Sequence, residues 1–465
     1  MKEYLDRKLI IVLSVSLIIT MATISLGSLG VITGTFLITL ICILNYGFNP
    51  LYFLFLFILI GNYSLTWGGQ FLGIPVPNDL VDDHLTSISN NLGIIMLISS
   101  FFSGIKRQRI LKLDIWIFIF FILGITMWYV AVDITAPLEM VVRFVQFFLL
   151  YVAVRLTLNT LDRLRLFYVF TISSFFILFF HLTLQLITGY LTTDTGANSD
   201  AISRYIPYFI VLSMMETNVL SRQFLYFAIV MSAFVSTFAA SRRVLIDVLG
   251  YFFVHLARFR TGIFYAIPIT ILLIIGYKFL PDYTKERIEY SNELISTEGT
   301  TSEIGLSKLS TGRTDFWIIA FKMIEDHPII GIGAHNSWKL MEDYGGSRKA
   351  RTHNFYIEVF ADFGLIGLIT FLMILYYSST YLIKAQKIIK EYYYKTGLMT
   401  RAFGDEFLFI HVTSFFGYSI LYQKMGWVIY ALAASIYAIA LDIQRRKIEE
   451  KAYQIGSTKT ESIAS

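Results

Sequence analysis

The feature that most constrains this chain is a series of long apolar runs separated by short polar connections. A helix needs about 20 apolar residues to cross the hydrocarbon core of a membrane, and a shorter one crosses where the bilayer thins. The sequence therefore predicts an all-α polytopic membrane protein with about fourteen transmembrane helices. The predicted helices lie near residues 9–27, 30–47, 50–66, 91–104, 114–133, 138–154, 164–187, 205–220, 223–240, 244–257, 262–280, 364–383, 406–423 and 426–441. A mean hydropathy of +0.64 is too high for a soluble protein.

Charge alternates along the connections and predicts which of them face the cytoplasm. Lys and Arg gather in the connections that are cytoplasmic if the N-terminus is, as the positive-inside rule requires. These residues are Lys106, Arg107, Arg109 and Lys112; Arg155, Arg163 and Arg165; Arg258 and Arg260; Lys384, Lys387, Lys390, Lys395 and Arg401; and Arg445, Arg446 and Lys447. The first apolar run is predicted to be a retained span, because no A-x-A-like cleavage site follows it.

The same assignment divides the chain into four parts. Residues 1–280 hold predicted helices 1 to 11, and residues 281–362 form one large external loop. Residues 363–445 hold three further helices, and residues 446–465 form a cytoplasmic tail. Both termini are then cytoplasmic.

Composition excludes several classes of function. The net charge of +5 is spread over the connections and forms no single basic patch, so nucleic-acid binding is not expected. The single cysteine, Cys42, permits no internal disulfide and no Cys-based metal site. No H-E-x-x-H sequence or D-x-D pair with ligand spacing occurs in an external connection. We therefore expect neither a metal ion nor a cofactor.

The external loop contains two recognisable helix boundaries. The apolar spacing of Phe316, Ala320 and Ile324 predicts a helix over 314–324, which Asp326-His327-Pro328 ends. Gly331-Ile-Gly333 follows and predicts a tight turn, because no strand-turn-helix context supports a dinucleotide fingerprint. A second helix is predicted to begin near Asn354, a good N-cap, and to enter the membrane.

Arginines at the predicted outer ends of helices contradict the usual charge rule and are therefore candidates for function. They are Arg143, Arg204, Arg242, Arg243, Arg313, Arg348 and Arg351. Several guanidinium groups converging on one cavity suit a phosphate or diphosphate, which they bind bidentately. The alternative for each is a snorkelling side chain that contacts lipid headgroup phosphates.

Residues 310–370 carry a family resemblance. Gly312-Arg313-x3-Trp317 is followed by Pro328-Ile-Ile-Gly331-Ile-Gly333, then by His353-Asn354, nine residues and Gly364-Leu-Ile-Gly367. Ser241-Arg242 adds a shorter element between two helices. In this order and spacing, the chain resembles the membrane O-antigen polymerases and ligases.

The resemblance implies a GT-C-like architecture and the transfer of a glycan from undecaprenyl diphosphate to an acceptor sugar hydroxyl. It also implies that Arg313 and Arg242 bind diphosphate and that His353 acts at the acceptor. Arg143 and Arg243 join the diphosphate candidates by their position. The sequence departs from the family pattern at His335, which follows the Gly331-Gly333 pair, so His335 competes with His353 for the catalytic role.

Further residues are candidates for supporting roles. Asn354 and Arg351 flank His353, and Glu358 and Asp362 share one helical face after it, where either can orient an imidazole or an arginine. A solvated face is the alternative reading of the two carboxylates. His181, His255 and His411 stand singly in apolar runs, which predicts hydrogen bonds between helices.

Three functions remain open at this point. The first is a polymerase that extends a lipid-linked repeat unit on the periplasmic face of the bacterial inner membrane, with a chain-length regulator protein as a further partner. The second is a ligase that transfers glycan to the lipid A-core. The third, from another class, is a flippase for lipid-linked glycans, although charges at the outer boundary favour an enzyme over a transporter with ionisable residues at mid-membrane. Besides membrane lipid, the expected partners are a lipid-linked oligosaccharide donor and acceptor.

Overall fold

The described residues form an assembly of helices with one small strand pair. The computed structural model describes residues 11–12, 14–16, 18–20, 27–64, 70–71, 74–75, 78–103, 109–172, 206–216, 218–238, 313–346, 351–413 and 424–464. The helices among the described residues after residue 26 are α1 (Gly27–Tyr46), α2 (Pro50–Ser64), α3 (Asn78–Phe102), α4 (Lys112–Thr126), α5 (Thr135–Thr157), α6 (161–172), α7 (Ile206–Met215), α8 (Val219–Phe238), α9 (Arg313–Asp326), α10 (Asn336–Lys339), α11 (Phe355–Tyr392), α12 (Tyr394–Thr413) and α13 (Lys424–Ala464). A 3₁₀ turn, Met127–Tyr129, follows α4, and β1 (Gln70–Phe71) pairs antiparallel with β2 (Ile74–Pro75).

Five described helices are long and apolar enough to cross a membrane. Their candidate spans are Leu29–Tyr46, Lys112–Tyr129, Thr135–Thr157, Phe355–Tyr392 and Gly426–Ile455. The all-helical membrane class predicted from the sequence is therefore supported, apart from the two-residue strands. The predicted helices 244–257 and 262–280 lie outside the described residues, so the total of about fourteen stays a prediction.

Aromatic side chains fill the centre of the bundle. Phe120 lies 5.2 Å from Phe363 and 5.4 Å from Trp427 between ring centroids, and Phe144 lies 6.1 Å from Phe363. All four side chains are buried. Because lipid is as apolar as these groups, van der Waals contact holds the helices together in a membrane. The cluster joins α4, α5, α11 and α13 into one unit.

The two ends of this bundle have different neighbours. At one end, Arg155 of α5 reaches back to Asp114 and to the Arg109 carbonyl before α4. Arg165 of α6 contacts Thr396 of α12 there. We call this the basic end, defined by residues 109–114, 155–165 and 393–396. The opposite end, which we call the site end, contains residues 127–135 and 328–346.

Two segments predicted as a connection and a tail are helical. The Lys-rich connection 384–401 is divided between α11 and α12, with only Tyr393 between them. The predicted tail continues α13 to Ala464 without a break. Lys, Glu and Arg are strong helix formers, and a pair such as Lys447–Glu450, 2.7 Å apart, further supports a helix outside the apolar span. Charge density therefore marked where the apolar runs end, but it did not mark where the helices end.

Candidate active site

Helix α9 and the segment 351–354 are joined by a hydrogen bond that explains one of the sequence motifs. The Trp317 indole N–H donates to the Thr352 carbonyl over 2.7 Å. Arg313 begins α9 and lies four residues before Trp317, so both are on one helical face. The Gly312-Arg313-x3-Trp317 spacing thus places Arg313 on the face of α9 whose Trp317 contacts the segment that holds His353. The predicted helix and its end at Asp326 are confirmed.

The chain around His353 is bent tightly and held from within. His353 is exposed and has a φ of 51°, in the left-handed region. On either side, the buried Thr352 hydroxyl donates to the Asn354 carbonyl over 2.9 Å. The Asn354 side chain accepts from the Tyr356 and Ile357 N–H groups over 3.0 and 3.1 Å, which confirms it as the N-cap of α11. The imidazole therefore projects from a fixed backbone at the start of a membrane-entering helix.

A break in α11 at Gly364 explains the glycine that follows His353-Asn354 and nine residues in the motif. Gly364 has non-helical angles, φ 62° and ψ −163°, inside an otherwise continuous helix. The break leaves backbone groups that pair with residues 328–333. The Leu365 N–H donates to the Pro328 carbonyl over 2.9 Å, and the Ile332 N–H donates to the Ala361 carbonyl over 2.9 Å. The Pro328-to-Gly333 segment is thereby held against the helix kink.

Only glycine fits where these two segments touch. Gly331 has a φ of +82°, and a Cβ there would meet the backbone of Asp362 and Gly364. A Cβ on Gly364 would likewise meet the backbone of Ile329 and Ile330. Glycine alone allows both the left-handed angles and the close backbone approach. The predicted turn at Gly331-Gly333 is a bend at Ile332 between two hydrogen-bonded turns, 327–331 and 333–336, and it packs against the glycine eleven residues after His353.

Asp362 fixes the loop that carries His335. One carboxylate oxygen accepts from the His335 N–H over 3.0 Å, and the other accepts from the Ser337 N–H over 2.8 Å. Asp362 is fully buried, and His335 has a φ of 66°. The carboxylate therefore holds backbone N–H groups at the start of α10. Because Asp362 is fully buried, the solvated-face alternative is wrong for it.

The same loop is attached to the residues that lead into α5. The Val132 N–H donates to the Ile332 carbonyl over 3.0 Å, and the Asn336 side chain donates to the Asp133 carbonyl over 3.0 Å. Lys339 lies 2.8 Å from the Asp133 carboxylate. A hydrogen bond from Lys339, with two more from Thr135, lowers the pKa of Asp133 to about 2. The site loop is thus tied to α5 as well as to α11.

His335 lies in a positively charged and partly buried environment. Its ring stacks on Trp338 with centroids 5.0 Å apart. Burial, together with the positive charges of Arg351 and Arg143, lowers its pKa to about 4. Near neutral pH the imidazole is therefore uncharged. The shift also shows that two predicted arginines, from distant parts of the sequence, lie near this one ring.

Arg143 and Arg351 differ in how they reach the site. Arg143 is exposed and lies in the third turn of α5, about 12 Å along the axis from Thr135. The apolar run predicts that Arg143 lies about one turn inside its helix. Because α5 begins at Thr135, Arg143 lies deeper in the helix than predicted. Arg351 is half-buried and precedes His353 by two residues. Both guanidinium groups are thus close enough for their charges to act on His335, and Arg351 lies two residues from His353.

The remaining predicted residues have varied outcomes. Glu358 is fully buried on the first turn of α11, so the solvated alternative is wrong for it. His411 makes the predicted contact between helices, with its Nε2 2.7 Å from the Tyr430 hydroxyl. Several predicted residues lie outside the described part of the chain: Arg204, Arg242, Arg243, Arg348, His181 and His255. Asp362 and Trp317 are anchors whose exact partners no local pattern indicated.

The comparison with known families agrees with the sequence motifs. Residues 207–372 match the model of the O-antigen ligase family. The matched segment begins in α7, contains α9, α10 and the His353 segment, and ends in α11 after the Gly364 kink. This confirms the resemblance to the O-antigen polymerases and ligases and supports a glycosyltransferase-type function. No curated protein matches the chain. Arg143 lies outside the matched segment in the sequence, and the fold brings it near His335 within that segment.

Proposed function

We propose that the protein is an O-antigen or polysaccharide polymerase. It transfers glycan from undecaprenyl diphosphate to the acceptor sugar hydroxyl of a lipid-linked repeat unit. The observation that carries this proposal is the approach of Arg143 and Arg351 to the neutral His335, with the exposed His353 two residues after Arg351. The family match supports the general class, and polymerases and ligases share it.

Arginine suits the leaving group of this reaction. Breaking the bond between the anomeric carbon and the diphosphate builds negative charge on the phosphate oxygens. Guanidinium groups held in place stabilise that developing charge and stay protonated at any relevant pH. Arg143, Arg351 and Arg313 supply such groups near the His353 segment, and Arg242 and Arg243 are proposed to join them. With this charge supplied by side chains, the transfer needs no divalent ion.

His353 is proposed to act on the acceptor. Its ring nitrogen takes the proton of the acceptor hydroxyl as the oxygen attacks the anomeric carbon. The carbon–oxygen bond to diphosphate breaks, the electron pair leaves with the polyprenyl diphosphate, and His353 later releases the proton to solvent. Attack opposite the leaving group inverts the anomeric centre. Histidine is suited to this role because its protonation changes near physiological pH.

His335 is proposed to support the donor and not to accept the proton. With a pKa of about 4, its neutral ring can hydrogen-bond the diphosphate without a cost in charge, but it is a weak base. Asp362 fixes its backbone and Trp338 stacks on its ring, so its position is set before substrate arrives. Asn354 and Glu358 support the adjacent start of α11.

The proposed location follows from charge. If the basic end faces the cytoplasm, as the positive-inside rule requires, the site end faces the periplasm. Lipid-linked donor then enters from the membrane beside α5 and α11, and the acceptor is a second lipid-linked repeat unit. A chain-length regulator protein is a further proposed partner.

A ligase that transfers glycan to the lipid A-core is the second candidate, because the matching family is described as O-antigen ligase. A deletion strain of the source bacterium separates the two. A polymerase defect leaves lipid A-core carrying one repeat unit, whereas a ligase defect leaves lipid A-core with none. We expect the single repeat unit. Unchanged lipopolysaccharide and capsular glycan would contradict both candidates.

A further inference from the structure

A large cavity opens at the basic end, away from the candidate active site. Its volume is about 1130 Å³, and residues of α6, α7, α8 and α12 line it. Arg165, near the start of α6, and Lys395, near the start of α12, lie at its outer part. Deeper along the same helices the lining becomes apolar, with Ile172 and Met399. The cavity therefore combines a cationic mouth with an apolar interior.

The guanidinium group of Arg165 is oriented at this mouth. Its Nε donates to the Thr396 hydroxyl over 3.4 Å, and it lies 5.1 Å above the centre of the Tyr393 ring. Its ion pair with Asp162, at 3.3 Å, involves a carboxylate that is 78% exposed. Such surface pairs contribute little free energy. Arg165 can therefore exchange Asp162 for a stronger anion while Thr396 and Tyr393 keep it in place.

The depth of the cavity suits a chain and not a small ion. From Arg165 to Ile172, α6 rises by about 10 Å. Phe209 of α7 and Phe227 of α8 add aromatic walls. A free phosphate would use only the mouth and leave this apolar surface in contact with water. An amphiphile with a charged head and a hydrocarbon tail would use both parts.

We propose that this cavity binds one anionic phospholipid with a hydroxyl-bearing headgroup, of the phosphatidylglycerol type. Its phosphate lies between Arg165 and Lys395, and one acyl chain follows the apolar interior. Basic pockets between transmembrane helices attract such headgroups. Glu216, the carboxylate that lines the cavity, accepts from the Asn218 N–H over 2.9 Å. Its remaining acceptor capacity suits the headgroup hydroxyls and disfavours a more highly charged diphosphate.

This inference does not depend on the proposed function, because the cavity and the candidate active site lie at opposite ends of the bundle. An experiment can therefore disprove lipid binding without disproving glycan transfer, and it can disprove glycan transfer without disproving lipid binding. A phospholipid bound in this cavity would hold α6 and α12 at the headgroup region of one leaflet.

Native mass spectrometry of the full-length protein tests the proposal, with phosphatidylglycerol and phosphatidylethanolamine of equal chain length added in turn. We expect preferential retention of phosphatidylglycerol. Arg165→Gln and Lys395→Gln should each weaken it about fivefold, the effect of one basic residue near a lipid surface. Ser221→Trp, which places a large ring in the cavity lining, should exclude both lipids.

Lys387→Gln is the matched control for Lys395→Gln, because Lys387 is an exposed lysine outside this cavity. It should leave phosphatidylglycerol retention unchanged. Lys395 is exposed, so Lys395→Gln keeps the test valid if Arg165→Gln fails to fold. Equal retention of the two lipids, or an equal loss in Lys387→Gln, would overturn the proposal. Preferential binding of a polyprenyl phosphate would overturn it as well.

Discussion

Two arginines of one helix, Arg155 and Arg143, show how differently the two ends of the bundle use the same side chain. They lie about 18 Å apart along α5. Arg155 is 7% exposed and makes two contacts with Asp114, at 2.9 and 3.0 Å. Arg143 is exposed and makes no ion pair with any described residue, but its charge acts on His335.

The difference separates a structural cation from one that is available to a ligand. A buried charge is stable only when a partner and hydrogen bonds compensate its lost hydration. Asp114 does this for Arg155, and the Tyr151 hydroxyl and Leu111 N–H satisfy the same carboxylate. At the site end, Arg143 and Arg351 raise the local positive potential around a neutral histidine. That arrangement favours an incoming anion.

The largest expected effect on stability is at the basic end. Arg155→Ala leaves the buried end of α5 without its ion pair and leaves the partly buried Asp114 without its cation, so it should destabilise the protein by about 3–5 kcal/mol. Arg143→Ala, at an exposed position of the same helix, should change stability by less than about 0.5 kcal/mol while it impairs glycan transfer. Thermal unfolding in detergent compares the two. Equal destabilisation by both variants would remove the distinction between the ends.

The second-largest effect concerns the loop at the site end that carries His335 and packs against α11. Asp362→Asn replaces a carboxylate that accepts from two backbone N–H groups, and each such bond contributes about 1.5–3 kcal/mol. Hydrogen exchange of residues 333–340 should accelerate strongly. Asp315→Asn is the control, since Asp315 is an exposed acid on α9. Unchanged exchange in Asp362→Asn would show that the carboxylate does not hold the loop.

A smaller effect is expected from a substitution that keeps the charge. Arg313→Lys replaces a planar fork with a point charge and loses about one charge-assisted hydrogen bond to diphosphate. Glycan transfer should fall roughly 10- to 100-fold. Lys322→Arg, an exposed change on the same helix, should have no effect. Normal transfer by Arg313→Lys would exclude Arg313 from donor binding.

The smallest effect is a pH dependence. Because the pKa of His335 is lowered to about 4, the unfolded chain binds this proton more readily than the folded protein does. The stability that neutral His335 contributes is present above about pH 6.5 and declines as pH falls towards 4. Arg143→Gln removes a positive neighbour, raises the pKa and weakens the decline. An NMR titration of the ring measures this, and His327→Gln and His353→Ala identify the signals of the exposed His327 and His353. An unchanged His335 titration in Arg143→Gln would contradict the juxtaposition.

Local sequence patterns predicted the parts of the site that depend on near neighbours. The end of α9 at Asp326 and the Asn354 cap follow from residue types within one helical turn. The glycine turn is similarly local. The kink at Gly364 was not predictable, because its backbone groups are satisfied by Pro328 and Ile332, more than thirty residues earlier. The approach of Arg143 to His335 spans nearly two hundred residues and arises only when the loop docks on residues 131–135.

The distinction between the two catalytic candidates tests the account most directly. Purified wild-type protein, His353→Ala and His335→Ala should be compared in one assay with lipid-linked donor and acceptor, alongside donor binding. We predict that His353→Ala binds donor but loses about 10²–10⁴-fold in transfer rate, the typical contribution of a general base. His335→Ala should retain measurable transfer with weaker donor binding. Near-normal transfer by His353→Ala together with an inactive His335→Ala would contradict the account and move the base to His335.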